Sequence, residues 1–153
     1  MKLFDAHCHL QMQQFDQDRE AVIERMREAG VGGIIVGTDY ETSKAGLALA
    51  IQHDFLWASV GLHPNDNKDE HFDISKYEEL AKDPKVVAIG ECGLDYFRSG
   101  GTDEEKAVQK ERFESQIELA IRVGKALIIH CRDNPKSPTT SSAHLDVQHM
   151  LHI

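Results

Sequence analysis

Phe4-Asp5-Ala6-His7-Cys8-His9 is the stretch from which the rest of the chain is read. Leu3 to Ala6 reads as a short buried run, the first core strand, and two histidines close it at spacing i, i+2. On a strand, side chains two apart share a face and stand roughly 6.5–7 Å apart. No helix brings i and i+2 to one face. The pair therefore asks for a strand whose C-terminal end carries chemistry, with two imidazoles leaning onto one metal ion at about 2.0–2.1 Å. A lone His-x-His is equally a pair of polar residues where a strand leaves the core. Partners elsewhere in the chain must decide.

Outward from that stretch, apolar strands and amphipathic helices alternate. Residues 18–29 read as a helix with Val22, Ile23 and Met26 on one stripe and Gly30 as its stop. Residues 32–37 form a second strand. Thr42 caps a second helix that faces Leu47, Ala48 and Ile51 inward. Residues 56–61 form a third strand, closed by Leu62-His63-Pro64. A short helix over 75–82 turns Tyr77, Leu80 and Ala81 inward, and Asp83-Pro84 is a turn. Residues 86–91 form a fourth strand, running into Cys92-Gly93-Leu94-Asp95-Tyr96. A polar loop, 98–103, leads into a long helix to Val123 with the stripe Phe113, Ile117, Ala120 and Ile121, and Gly124 ends it. Residues 126–130 form a fifth strand, followed by Cys131-Arg132-Asp133. The remainder, 134–153, holds two prolines, a Ser/Thr run and the start of another helix.

Five such alternations mean a parallel sheet with helical crossovers. An open doubly wound sheet and part of a (β/α)₈ barrel both fit that pattern. His7, His9, His63, Glu91 and His130 lie at the C-terminal ends of different strands, which is how a barrel spreads its chemistry. An open sheet gathers it at one switch point, often with a glycine-rich phosphate loop, and no GxGxxG or P-loop pattern follows any strand here. The expected class is α/β, a TIM-barrel type (β/α) repeat with about five of the eight strands, in one partial domain over 1–153.

Composition narrows the setting. With 41% apolar and 28% charged residues the chain is globular rather than disordered. No apolar run approaches the roughly 20 residues of a membrane span, and the N-terminus lacks a signal-peptide pattern, so no membrane partner and a cytoplasmic location are expected. Three cysteines, an odd number, argue against a disulfide framework. A net charge of −9 repels polyanions at long range, which disfavours a broad electrostatic DNA-binding face but leaves room for a phosphate held locally by metal ions.

His7, His9, Glu91 and His130 are the candidate metal ligands. Imidazole with carboxylate suits zinc, manganese or iron better than magnesium. A carboxylate can bridge two ions roughly 3.5–4 Å apart, and such ions make water a nucleophile near neutral pH. Cys8, Cys92 and Cys131 each neighbour a candidate by one position, so a strand turns them to the opposite face, under the helices. A Cys/His zinc site lacks any CxxC spacing. Arg132 shares the face of His130 and could reach a substrate phosphate or pair with Asp95 or Glu91. His63 reads either as a group near substrate or a metal ligand, or as a structural loop histidine. His53, His71, His144, His149 and His152 sit in polar or helical contexts and read as surface residues.

Asp5-Ala6-His7-Cys8-His9, Gly61-Leu62-His63-Pro64, Gly90-Glu91-Cys92-Gly93-Leu94-Asp95-Tyr96 and His130-Cys131-Arg132 together resemble the TatD family of metal-dependent hydrolases. The resemblance runs from Met1 to about Asp133. It implies a TIM barrel and divalent-metal-dependent hydrolysis of phosphodiesters, commonly as a deoxyribonuclease, with some relatives thought to deacylate D-aminoacyl-tRNA. By position, His7 and His9 would hold one ion, Glu91 would bridge as the catalytic carboxylate, and His130 would hold a second. His63, Tyr96 and Arg132 would lie near a DNA or other phosphodiester substrate. The cofactor would be up to two divalent ions in the complete enzyme, Mg, Mn or Zn. A full barrel takes about 250 residues, and the family's metal histidine on strand six and aspartate on strand eight have no counterpart here. Three readings follow: a TatD-like phosphodiesterase, a metal-dependent ester hydrolase, and a non-catalytic remnant. Open sheet edges in a five-strand arc also predict self-association.

Overall fold

The computed structural model describes residues 1–66, 70–98, 102–133 and 142–151. Its elements are β1 (Leu3–Cys8), a 3-10 turn (Gln13–Phe15), α1 (Arg19–Ala29), β2 (Val31–Val36), α2 (Tyr40–Gln52), β3 (Leu56–Val60), α3 (Ile74–Ala81), β4 (Val86–Asp95), α4 (Asp103–Val123), β5 (Ala126–Arg132) and α5 (Ala143–Leu151). All four strand pairs are parallel and the sheet order is β1-β2-β3-β4-β5. That order never reverses. A doubly wound sheet reverses at its switch point, whereas a barrel adds each strand beside the last. The five strands are therefore one arc of a TIM-type (β/α) barrel, as the alternation predicts. His152 and the proline and Ser/Thr stretch over 134–141 lie outside the described residues.

Helix boundaries follow their caps. Gly30 and Gly124 end α1 and α4 in the left-handed conformation, as expected. The cap of α2 is a correction: Asp39, not Thr42, is the N-cap. Its carboxylate accepts from the Thr42 N–H at 2.8 Å, so the helix starts earlier and Thr42 completes a capping box from the third position.

The main core lies between the sheet and α1–α4, with Ile23, Ile35, Leu56, Val60, Tyr77, Ile89 and Leu119 at its centre. A second cluster joins Cys92, Leu94 and Tyr96 to Phe113, Ala143 and Val147 under α4 and α5. Several inward assignments shift by one position on the helical wheel. On α2 the buried residues are Ser43, Gly46, Leu47 and Ala50, while Ala48 and Ile51 face solvent. On α4 Ile121 is 77% exposed, and Gln109 and Gln116 are buried beside Phe113 and Ala120. Apolar periodicity cannot register a polar residue that turns inward to meet backbone groups.

The first strand departs most from expectation. Leu3 and Phe4 are 67% and 47% exposed, because β1 is an edge and carries no buried run. The other edge, β5, behaves likewise: Cys131 is exposed, contrary to the expectation that all three cysteines pack under helices. Cys92, in the better-covered β4, is fully buried as expected. Among the described residues, no helix is long and apolar enough to cross a membrane.

Candidate metal centre

The strand ends on the C-terminal side bring four histidines around one glutamate. His7 is the second-last residue of β1 and His9 lies just beyond it. The His7 Nε2 and His9 Nε2 atoms stand 3.2 Å apart, and His7 Nε2 is 3.2 Å from Glu91 Oε2. Two ligands of one tetrahedral ion with bonds of about 2.0–2.1 Å sit about 3.3 Å from each other. The side chains are held that close by local bonds. The Asp5 carboxylate accepts the His7 backbone N–H at 3.0 Å. The Val36 carbonyl, at 2.9 Å, accepts from His9 Nδ1, since a carbonyl cannot donate. That bond leaves a lone pair on His9 Nε2, the form a cation needs. Gln11 Nε2 donates to the same carbonyl at 2.7 Å.

The other carboxylate oxygen of Glu91 faces a second group. His130 Nδ1 lies 3.0 Å from Oε1, and His63 Nε2 lies 4.0 Å from it. The two rings meet edge to face with centroids 4.4 Å apart. His130 Nε2 is 3.0 Å from Asp95 Oδ2, so both of its nitrogens face carboxylates. His63 Nδ1 accepts from the backbone N–H groups of Asn65 and Asp66, at 3.2 Å each. Asp66 Oδ1 also lies 3.2 Å from that nitrogen. The ring can thus carry its proton on Nε2, or give it to the Asp66 side and free Nε2.

Charge follows geometry. Burial pushes the Glu91 carboxyl up, but the bond from His130 and the nearby His63 and His7 rings outweigh it and hold the group below its usual value. Asp95 follows the same pattern: burial raises it, and the Arg98 N–H and His130 bonds bring it below the ordinary range. The bond to Glu91 raises His130, against burial, with Asp95 adding to the rise. Glu91 and Asp95 thus favour the protonated His130 ring, so a cation bound there would compete with its proton.

The spacing of strands around Glu91 depends on glycine. Gly90 and Gly93 adopt φ of 141° and 129°, and a Cβ on either would collide with the carbonyl oxygen of Ile128 or His130 on β5. Larger residues there would push β4 and β5 apart and carry Glu91 away from His130.

Of the residues singled out from sequence, the fold brings together His7, His9, Glu91, His130 and His63. Tyr96 is buried, and its hydroxyl donates to Asp146 on α5 at 2.7 Å. The Arg132 guanidinium lies 3.9 Å above the Phe97 ring. His71, His144 and His149 are exposed as expected, and His53 is half-buried. Sequence reading missed Asp66 and gave Asp95 only as a salt-bridge partner. Asp95 sits in the quoted Gly90–Tyr96 stretch, four residues after Glu91, which was the available signal.

Three comparisons bear on this arrangement. The family model described as TatD related DNase matches residues 4–152. The chain is 39% identical over 134 residues to a protein of Pectobacterium parmentieri named 3'-5' ssDNA/RNA exonuclease TatD, covering 86% of this chain and 50% of that protein. It is 41% identical over 140 residues to the uncharacterized metal-dependent hydrolase YabD of Bacillus subtilis, covering 90% and 54%. The crystal structure of YJJV, a TatD homolog from Escherichia coli, superposes with a TM-score of 0.73 at 28% identity, covering 98% of this chain and 64% of that one. The chain spans about half the length of these curated relatives.

Proposed function

The chain belongs to the TatD related DNase family, and from that premise we propose that it carries one rim of a divalent-metal-dependent hydrolase of phosphodiester bonds in DNA. The observation that supports this best is the two-sided use of Glu91. Its Oε2 faces His7, 3.2 Å away, and its Oε1 faces His130, 3.0 Å away. One carboxylate between two imidazole groups is the arrangement two neighbouring dications share. Among the described residues, His7, His9 and Glu91 form one group of converging ligand atoms, and His63, Glu91 and His130 form a second.

In this reading His7, His9 and Glu91 would hold one ion, and Glu91 and His130 would hold a second in the complete enzyme, that ion displacing the His130 proton. A divalent ion there supplies Lewis-acid activation of water and neutralises charge at phosphorus. The chain's own residues prepare that chemistry. Glu91 stays ionised well below neutral pH, and the Val36 carbonyl keeps the His9 proton on Nδ1. Asp95 holds His130 in register. Arg132, stacked on Phe97 two residues beyond His130, is assigned to a backbone phosphate, with His63 on the same side. Tyr96, engaged by Asp146, forms the wall behind them. A net charge of −9 gives no broad attraction for DNA, so the substrate is held by ions and a few local contacts.

We read residues 1–153 as one domain supplying five strands of such a barrel. Three free cysteines among the described residues suit a reducing compartment, the cytoplasm.

The test is titration of the chain with Mn²⁺ or Zn²⁺, followed by incubation with a labelled single-stranded oligonucleotide and, in parallel, an aminoacyl ester. For this five-strand chain we expect weak or single occupancy, at the His7/His9/Glu91 end, lost in Glu91→Gln, with metal-dependent shortening of the oligonucleotide. No binding at the histidine–glutamate rim would overturn the proposal. Cleavage of the ester alone would move it to the ester-hydrolase class. Binding without cleavage of either would leave a metal-holding remnant without turnover.

A further inference from the structure

Two glutamines on α4 are buried for a reason the metal ligands do not explain. Gln109 and Gln116 stand seven residues apart, two helical turns, on the face that also carries Phe113 and Ala120. They are 3% and 1% exposed. Burying a primary amide is costly unless both its ends are bonded. Gln116 Oε1 accepts from the Leu62 N–H at 2.8 Å, and its Nε2 donates to the Leu62 carbonyl at 3.0 Å. Gln109 Oε1 accepts from the Asp95 N–H at 2.8 Å, and its Nε2 donates to the Asp95 carbonyl at 3.1 Å. Each amide thus engages both backbone groups of one residue, as an adjoining strand would.

The location of these pairings matters. The β3–β4 register ends at Val60 and Ile89. Beyond that point the β3–β4 pairing stops, and α4 supplies partners to the Leu62 and Asp95 backbone groups. Leu62 immediately precedes His63. Asp95 accepts from the Phe97 and Arg98 N–H groups through Oδ1, at 3.0 Å each, which leaves Oδ2 facing His130 Nε2 at 3.0 Å. Gln109 Nε2 also reaches Asn65 Oδ1 at 3.5 Å, and the Asn65 N–H donates to His63 Nδ1.

We propose that Gln109 and Gln116 are positioning residues through which α4 sets the ring orientations of His130 and His63. Gln109 acts on His130 through Asp95, and more weakly on His63 through Asn65. Gln116 acts on His63, through Leu62. His9, held by the Val36 carbonyl on β2, has no contact with either glutamine's partners among the described hydrogen bonds.

The experiment records imidazole ¹H–¹⁵N spectra of the metal-free chain for Gln109→Met, Gln116→Met and Phe113→Leu. Phe113 lies between the glutamines on the same helix face, so its variant reports loss of packing alone. Gln109→Met should move the His130 ring signals most, Gln116→Met those of His63 most, with a smaller change at the ring it touches in each case, and Phe113→Leu neither, with His9 unmoved throughout. Should Gln109→Met fail to fold, Gln109→Glu keeps the length and the acceptor for the Asp95 N–H, and should give a smaller His130 shift of the same sign. His130 signals that stay at their wild-type positions in the folded Gln109 variant, or move equally in Phe113→Leu, would overturn the proposal. The hydrolase reading enters only for the consequence: Mn²⁺ affinity should fall about 10-fold in Gln109→Met. A chain that binds no metal would sink that reading and leave the ring shifts to decide this one.

Discussion

The two rims of the sheet solve the same problem in opposite ways. On the N-terminal side, Lys85 and Lys125 each stand one residue before a strand and reach back to the start of the preceding one. Lys85 Nζ donates to the carbonyls of His53 and Leu56 at 2.7 and 2.9 Å. Lys125 Nζ donates to those of Asp83 and Val86. In both cases the carbonyls are three residues apart, so the two clamps repeat with the (β/α) unit. On the C-terminal side, among the described residues, no lysine makes such a clamp. Instead His7, His9, His63 and His130 converge on Glu91, with lone pairs and a carboxylate facing each other across 3–4 Å. One rim brings its own ammonium groups to backbone oxygens and is finished. The other gathers donors suited to a cation from outside. This division matches barrels in general, where one end serves stability and the other chemistry.

The sharpest way to break the comparison is to exchange effects between the rims. Glu91→Gln should weaken Mn²⁺ binding by about 100-fold or more, because it removes the carboxylate that both imidazole groups share. Calorimetric titration would measure it. Lys125→Met should do the reverse, costing about 1 kcal/mol of stability by denaturant unfolding, since it strips a donor from two carbonyls, with Mn²⁺ affinity held within twofold. If Lys125→Met proved as damaging to metal binding as Glu91→Gln, the division between rims would be lost.

Acid and base distinguish the rims further. Glu91 and Asp95 have folded-state values below those of the unfolded chain, so their contribution is present above about pH 4 and fades as pH falls through the lowered values. His130 is raised, so its contribution is full below about pH 6.5 and is lost as pH climbs through its higher folded value. Melting curves over pH 3–9 should therefore show greatest stabilisation from this cluster in the mildly acidic range. Asp95→Asn should flatten the profile on both sides, and an unchanged profile would mean His130 is not held as described. Smallest of all is the effect at the edges. Leu3 and Phe4 on β1 and Ile129 on β5 are exposed, and we expect a second copy of the chain to cover them. Light scattering should find a dimer that Phe4→Ser shifts toward monomer. A wild-type monomer at the highest concentration measured would end that expectation.

Much of the arc is legible in the sequence. Continuous apolar strands, helix stripes and the stops at Gly30 and Gly124 are local signals, and each recurs with its own period. The errors share a cause. Leu3 and Phe4 read as core because hydrophobicity does not say whether a strand has a neighbour on both sides. Cys131 reads as covered for the same reason. Gln109 and Gln116 were passed over because a buried amide is explained by its partners, Asp95 and Leu62, which lie 14 and 54 residues away along the chain.

By itself, then, the order of residues determined the number and direction of the strands and which ends would carry His7, His9, His63, Glu91 and His130, since spacing along one segment settles those. Tertiary structure alone decided which oxygen of Glu91 meets which imidazole, that Asp95 stands behind His130, and that α4 completes the strand ends. Those pairings join groups that are remote in sequence, and only the closing of the sheet brings them within hydrogen-bond range.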